Sequence, residues 1–457
     1  MTDLIDVAER ALGLAGADAQ VTIISERSLT SRFARSAPTQ ATAVEDLAAE
    51  ILVVVDGHTA ASSTNALDDD ALRAAAQRAR TQAELAAASH GEPGIYPGLP
   101  EADPSRRGHE GYDAETAGLD PALAAVALRA AFDAARAHGV EAFGIWTAGT
   151  VRTAIASSAG TRAVDEVTDA HMRIIARDAD GRSGFASATS VRAAELDGGA
   201  LAERAAALVD AREPATLPPG EYAVVLEAEA VGTLLDFLAG LAFNGLAHAE
   251  DRGALSGRLG TRVAAPAINL SDSPRYAATL PRAFDAEGVP KAPLPLIQDG
   301  VAHNVAHDTR SAAVAGRGAR STGHALAPGG APSGPAPTNL VLVGGGAADE
   351  QELAAPIERG LYVTRLWYVN TVRERETLLT GTTRDGTFLI EDGVRTRPLR
   401  NLRFTDSALR LLAATEALTS ATRLVSETDL YGRRFAYGCV CPSLRAQGFR
   451  ITGATAG

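Results

Sequence analysis

The sequence predicts an α+β protein with an N-terminal α/β domain, residues 1–215, and a β-rich C-terminal domain, residues 216–457, built as a sandwich or barrel. Three observations lead to this prediction. A chain of 457 residues is too long for one ordinary hydrophobic core. The first half mixes short β-branched runs with long helical patterns, which favours a mainly antiparallel sheet covered by helices. Beyond the proline-rich stretch at 213–221, short alternating runs with many Gly, Pro and Thr residues dominate.

The N-terminal half begins with an amphipathic helix at residues 3–12. Alternating and β-branched runs predict the strands that follow, at 19–25, 29–35, 39–44, 50–55 and, after the Asp56-Gly57 turn, 58–63. A long helix at 68–87 has acidic residues in its first turn, and a second at 121–138 starts with proline. Residues 88–112 form a loop between them. Further strands at 140–147, 151–157 and 172–177 and a helix at 201–211 complete this half.

The C-terminal half opens with a buried strand at 222–226 and a helix at 228–242, whose apolar residues recur with helical spacing. Later strands are predicted at 339–343, 362–369, 387–391 and 397–404, with one more helix at 349–359. The segment at 213–221 separates these elements from the first half and predicts the domain boundary.

Composition narrows the class of protein. The formal net charge of −13 argues against nucleic acid as a partner, because phosphate contacts need clustered cations. No apolar stretch is long enough to suggest a membrane span, and the acidic N-terminus does not resemble a secretory signal, so we expect a cytoplasmic protein. The two cysteines, Cys439 and Cys441, rule out a disulfide framework.

The strand and helix at 222–242 have the setting of a zinc-peptidase motif without its metal ligands. Zinc peptidases place His-Glu-x-x-x-His or His-Glu-x-x-His on such a helix, with the histidines on one face. Glu229 is in place, but Ala228 and Thr233 stand at the flanking positions, and neither can bind a metal. Glu229 is then either a remnant proton-handling group or a polar residue favoured near a helix N-terminus.

Other candidate metal ligands are incomplete. His303 and His307 have the i, i+4 spacing of a helical metal pair, yet they follow an Asp-Gly turn and lack the adjacent glutamate. Cys439 and Cys441 point to the same face of a predicted strand, but two thiols alone cannot close a tetrahedral zinc site. A metal site using His303, His307 or Cys441 stays open as an alternative.

Several stretches, in this order, resemble the TldD/PmbA family. They are AFDAEGVP at 283–290, PLIQDGV at 295–301, STGH at 321–324, GLYVTR at 360–365, GTFLIEDG at 386–393 and the closing PSLRAQGFRITG at 442–453. The resemblance implies an N-terminal α/β domain, a β-rich C-terminal domain and a zinc-dependent peptidase formed from two homologous subunits. In the catalytic subunit of such a pair, two histidines of His-Glu-x-x-x-His and a later cysteine bind the metal.

At these positions the chain has Ala228 and Thr233, and near the expected cysteine it reads ETDL at 427–430. It therefore resembles the TldE (PmbA) type of subunit, which implies no catalytic residue, metal or cofactor in this chain. Zinc is expected in a TldD-like partner, and the pair is expected to cleave small unfolded peptides or leader segments of modified peptides. A stand-alone peptidase with a relocated metal site and a non-enzymatic peptide-binding or regulatory module are the alternatives.

Overall fold

The computed structural model describes residues 3–16, 18–90, 92–105, 108–316, 318–426 and 432–454. These residues form two sheets, each with its own helices, and the prediction of an α+β fold is confirmed. None of the helices in these ranges combines the length and the apolar character that crossing a membrane would require.

The first sheet has six antiparallel strands in the order β3-β2-β1-β4-β5-β6. Its strands are β1 (Ala19–Ala34), β2 (Ala37–Val55), β3 (His58–Thr64), β4 (Glu141–Ser157), β5 (Arg162–Arg177) and β6 (Ser183–Ser190). Its helices are α1 (Leu4–Ala15), α2 (Asp69–His90), α3 (Ala114–Gly118), α4 (Pro121–Ala137) and α5 (Gly198–Ala206). Asp120 caps α4 by accepting the Ala122 N–H, and Pro121 occupies the first turn, where its missing N–H is not needed.

Several predicted strands proved to be parts of longer ones. The strands expected at 19–25 and 29–35 are one continuous β1, in which the intervening Glu26 and Ser28 are buried and Arg27 is exposed. Glu26 is buried there and accepts a hydrogen bond of 3.0 Å from the Ser28 hydroxyl. The pairs 39–44 with 50–55 and 140–147 with 151–157 merge in the same way into β2 and β4. Strand β6 was not predicted, because it is rich in Ser and Ala, contains a Gly and has weak strand propensity.

The second sheet has eleven strands and is mixed parallel and antiparallel. Its strands are β7 (Gly220–Leu226), β8 (Leu270–Asp272), β9 (Leu294–Gln298), β10 (Val301–Ala302), β11 (Asn339–Leu342), β12 (Arg359–Arg373), β13 (Leu378–Glu391), β14 (Val394–Pro398), β15 (Leu402–Ser407), β16 (Thr415–Val425) and β17 (Gly438–Ala454). Because β17 pairs with both β15 and β7, the strands β7, β12, β13, β15 and β17 form a closed ring. The C-terminal part is thus barrel-like, one of the two arrangements predicted for it.

Five helices accompany the second sheet: α6 (Ala228–Leu241), α7 (Gly245–Ala249), α8 (Thr309–Ala315), α9 (Glu350–Ala354) and α10 (Ala408–Ala413). The apolar face predicted for α6, with Leu234, Leu235 and Leu238, is fully buried in the largest hydrophobic cluster. Two predicted elements were wrong. The helix at 349–359 is only the short α9, since β12 already begins at Arg359, and the strand at 397–404 is broken between β14 and β15.

A C-terminal arginine joins the two sheets. Arg434, in the segment before β17, places its guanidinium on the first sheet, with Nε 2.7 Å from Asp169 Oδ1 and Nη2 2.8 Å from Oδ2. Its Nη1 donates to Thr147 Oγ1 at 3.0 Å, and its backbone N–H donates to Glu26 Oε2 at 2.8 Å. A Cβ at Gly149 would lie 2.5 Å from Arg434 Nε, so glycine is needed beneath this side chain.

The only lysine in the chain is buried in the C-terminal part. Lys291 Nζ lies 3.4 Å from Asp272 Oδ2 and donates to the Gly323 carbonyl at 3.2 Å. His324 Nε2 is 3.0 Å from the same Asp272 Oδ2. Asp272 Oδ1 accepts the N–H groups of Thr338 and Asn339 at 2.9 and 2.7 Å. Asp272, Lys291 and His324 form the buried triad. Through them, the stretch at 321–324 and the residue that follows the stretch at 283–290 are connected to β8, and Asp272 also binds the start of β11.

Candidate functional site

The incomplete peptidase motif lies at the junction between the two parts of the protein. Glu227 ends the extended segment after β7, and Ala228 and Glu229 form the first turn of α6. Ser187 from β6 of the first sheet donates a hydrogen bond of 2.7 Å to Glu229 Oε1. Ala228 and Glu229 are only 2% and 8% exposed, whereas Thr233 is half-buried and donates to the Glu229 carbonyl at 3.0 Å.

Glu229 belongs to a cluster of charged side chains. Its members, the carboxylate cluster below, are Glu227, Glu229, Glu350, Arg204 and Arg423. Arg423 bridges two of the acids, with Nη1 3.7 Å from Glu227 Oε2 and Nη2 3.7 Å from Glu350 Oε1. These distances are too long for strong hydrogen bonds, so the contacts are mainly electrostatic. Arg204 lies near Glu229 and Glu227 and adds a second positive charge.

Hydroxyl groups satisfy the carboxylates of the cluster. Tyr362 donates to Glu227 Oε1 at 2.7 Å, and Ser443 donates to Glu350 Oε1 at 2.7 Å. Burial raises the pKa of Glu227 and of Glu229 above the usual value, although the hydroxyl donors and nearby arginines oppose the shift. The cluster therefore places carboxylates and arginines where a zinc peptidase would have imidazoles.

The packing around α6 leaves little room for metal-binding side chains. The Ala228 carbonyl accepts a hydrogen bond of 3.3 Å from the Cys441 thiol on β17. At Gly232, one turn further along, a Cβ would lie 2.6 Å from Val425 Cγ1 on β16. Alanine and glycine thus allow α6 to lie directly against β16 and β17, and larger residues on this face would push these elements apart.

Restoring the missing histidines should not restore a metal site. We expect the double variant Ala228→His, Thr233→His to lose about 1–3 kcal/mol of unfolding free energy, because a buried alanine is replaced by a larger polar residue. We also expect no stoichiometric zinc after dialysis, because two histidines alone do not complete a structural or catalytic site. Chemical denaturation and metal analysis measure both effects. Thr233→His alone is the control, because position 233 is half-buried, and it should lower the unfolding free energy clearly less. If the double variant bound zinc tightly and were as stable as the wild type, this expectation would be wrong.

The other candidate ligands do not assemble into a metal site. His303 and His307 lie in the irregular connection between β10 and α8, so their i, i+4 spacing does not stack them on a helix. His303 is exposed, and His307 Nδ1 lies 3.2 Å from Ser311 Oγ. Burial lowers the pKa of His307 and raises the pKa of the Cys441 thiol. Across the ranges that the structure describes, no group of three or more His, Cys, Asp and Glu residues is arranged to hold a metal ion.

Part of the site could be anticipated from the sequence and part could not. Glu229 was singled out, and Glu227 could have been, since it is a second acid at the same strand-to-helix junction. Glu350 and Arg423 had no such signal, because they reach the cluster from distant parts of the chain. The stretch at 427–430, where the family would place a cysteine, lies outside the described residues.

Two clefts lie where the first sheet meets the C-terminal part. The larger, of about 940 Å³, is lined by residues that include Arg177, Arg384, Asp385 and Phe388. The other, of about 260 Å³, lies over the face of β1, β4 and β5. The motif residues Ala228, Glu229 and Thr233 line neither of them.

Comparisons with known proteins agree with this architecture. The family model of the PmbA/TldA metallopeptidase C-terminal domain matches residues 219–453, and that of the PmbA/TldA metallopeptidase domain 1 matches residues 19–83. A search of curated proteins found no match. The chain is similar to the crystal structure of TldE from Thermococcus kodakarensis, with a TM-score of 0.84 and 18% identity over 98% of this chain and 100% of that one.

Two further solved structures share the fold. Both are named as putative modulators of DNA gyrase. The one from Thermotoga maritima has a TM-score of 0.82 and 20% identity, over 98% of this chain and 100% of that one. The one from Bacteroides thetaiotaomicron has a TM-score of 0.79 and 20% identity, over 99% of each chain.

Proposed function

Because the chain belongs to the PmbA/TldD metallopeptidase family, we propose that it is the non-catalytic, TldE-like subunit of a heterodimeric zinc peptidase. One observation carries the proposal. At the strand-to-helix junction where a zinc peptidase has its His-Glu-x-x-x-His motif, only the glutamate is present, and Glu229 is bound by Ser187 inside a packed junction. The positions of the two histidines are Ala228 and Thr233.

Because this chain lacks the two histidines, the partner subunit would have to supply the zinc site. A catalytic zinc needs three protein ligands and a bound water, whose pKa the metal lowers, and a carboxylate that accepts the proton. The TldD-like partner would supply all of these. This chain would supply part of the enclosure, which admits flexible peptides and excludes folded proteins. Its substrates would be small unfolded peptides or leader segments of modified peptides, bound in extended form.

The proposal predicts activity that depends on the partner. The isolated chain should not cleave an unstructured peptide, whereas mixing it with a TldD-like subunit should give one complex whose peptidase activity a chelator abolishes. Size-exclusion chromatography and a fluorogenic peptide assay measure both results. Chelator-sensitive cleavage by the isolated chain would instead support a relocated metal site, and stable association with an unrelated protein would support a binding module.

A variant of Glu229 provides the internal control. Glu229→Gln keeps an oxygen that can accept the Ser187 hydrogen bond, so the complex should retain its activity within about twofold. If this glutamate took part in proton transfer, the same change would lower the peptidase activity at least about 100-fold.

We propose that the assembly is cytoplasmic. We propose no role on DNA, because the formal net charge of this chain is −13 and phosphate contacts need clustered cations.

A further inference from the structure

The smaller cleft between the first sheet and the C-terminal part has the properties of a ligand site. Its volume of about 260 Å³ is just below the range for ligand pockets, which is roughly 300–1,000 Å³, and suits a small group. The floor consists of half-buried apolar side chains on three strands: Ile24 of β1, Val151 of β4 and Val167 of β5. Phe284, Pro328 and Phe435 from the C-terminal part form the opposite wall. The cleft is thus mainly apolar and open to small groups.

Six charged side chains line this cleft, and three of them, Asp165, Asp285 and Arg434, are already satisfied. Asp165 accepts hydrogen bonds from His109 Nε2 at 2.7 Å and from the Ala283 N–H at 2.8 Å. Asp285 accepts three backbone N–H groups, from Glu287, Val289 and Ala325. The Arg434 guanidinium donates hydrogen bonds to Asp169 and Thr147. None of these groups needs a ligand.

The other three charged groups are Arg433, which is exposed, and Glu50 and Arg282, which have unused hydrogen-bonding capacity. No described residue donates a hydrogen bond to the half-buried carboxylate of Glu50, and Arg433 is the cation that acts on it. Burial raises the pKa of Glu50, so a bound positive charge would stabilise its ionised form. Arg282 donates through Nη2 to the Ala436 carbonyl and stacks 4.1 Å from the Phe435 ring centroid, but its buried Nε has no partner among the described residues. An unpaired buried donor of this kind is costly unless a ligand or a water molecule supplies an acceptor.

We propose that this cleft binds the amino-terminal residue of a peptide, with the ammonium group on Glu50, the first carbonyl on Arg282 Nε and an apolar side chain on Ile24, Val151 and Val167. The ligand chemistry follows from the cleft: a carboxylate needs a donor or cation, a guanidinium N–H needs an acceptor, and the floor needs apolar surface. A free N-terminal residue offers all three within a few ångströms. The inference rests on the proposed function, because it assigns this subunit a direct part in holding the peptide substrate.

The test uses the isolated 457-residue chain in the presence of a chelator and needs neither partner nor metal. The probe is the tetrapeptide Leu-Ala-Ser-Gly with a C-terminal fluorescein, either with a free amino group or N-acetylated, and binding is followed by fluorescence anisotropy. The wild-type chain should bind the free peptide at least tenfold more tightly than the acetylated one. Glu50→Gln should reduce this preference to less than about threefold, because the amide carries no charge to pair with the ammonium group.

Glu45→Gln is the matched control, since Glu45 lies on the same strand, is exposed and does not line the cleft. It should leave both affinities unchanged. Equal affinity for the two peptides, a preference that Glu50→Gln does not change, or no binding of either peptide at millimolar concentration would overturn the proposal. These outcomes are independent of peptidase activity in the complex, so a failed binding test and a failed partner test can be told apart.

Discussion

Replacing Asp272 with asparagine is expected to lower the free energy of unfolding by about 3–5 kcal/mol, because it leaves the buried ammonium group of Lys291 without its counter-charge. The substituted amide could still accept the two backbone N–H groups through its oxygen, but its nitrogen would then face Lys291 Nζ and His324 Nε2. Urea denaturation of the wild-type and variant proteins measures the difference.

The double variant Asp272→Asn, Lys291→Met separates loss of the charge pair from loss of shape. It should be clearly more stable than Asp272→Asn alone, since no buried charge remains unpaired. Asp251→Asn is the matched control, because Asp251 is exposed and its contact with Arg375 at 3.3 Å should contribute little. Although burial opposes ionisation, Lys291 and His324 lower the pKa of Asp272, so its contribution should persist down to about pH 4 and be lost on further acidification. A wild-type-like Asp272→Asn variant would contradict this account of the buried triad.

Replacing Asp169 with asparagine should also cost about 3–5 kcal/mol of unfolding free energy, because the buried guanidinium of Arg434 would lose its paired carboxylate. Both side chains are less than 10% exposed, so water cannot replace the lost interaction. Since Arg434 connects the C-terminal part to the first sheet, limited proteolysis should also cut the variant faster between these parts. Denaturation and the rate of tryptic cleavage measure the two effects.

An exposed ion pair provides the comparison for Asp169. Arg373 and Glu376 lie 3.1 Å apart with both side chains more than half exposed, so Glu376→Gln should change stability by less than about 0.5 kcal/mol. Gly149→Ala tests the same contact between Arg434 and the first sheet by a change in the sheet, because a methyl group there would collide with Arg434. If Asp169→Asn lowered the unfolding free energy as little as Glu376→Gln, the contact between the C-terminal part and the first sheet would not depend on the ion pair of Asp169 and Arg434.

Local patterns in the sequence were sufficient for elements that are locally determined. The Asp56-Gly57 turn, the proline-initiated α4 and the apolar face of α6 all follow from propensity and periodicity, and each is present. The merged strands were harder to predict. A polar stretch such as Ser25 to Ser28 looks like a strand end, yet Glu26 is held by Ser28 and by the distant Arg434 backbone. Tertiary contacts of this kind leave no local signal.

The buried triad could not be predicted from the local sequence either. Asp272, Lys291 and His324 are separated in sequence and would each pass for surface residues, because Lys and Asp are seldom fully buried. Only the fold shows that they form one network. At the candidate site, the absence of histidines at 228 and 233 could be read from the sequence alone. That Ser187 of the other sheet binds Glu229, and that Gly232 lies against Val425, required the structure.

The central claim is that the missing ligands make this chain dependent on a metal-bearing partner. Zinc analysis by atomic emission, performed on the isolated chain and on its purified complex with a TldD-like subunit, tests this claim most directly. The account predicts no stoichiometric zinc in the isolated chain and one zinc ion per complex. A full equivalent of zinc retained by the isolated chain after dialysis would contradict it.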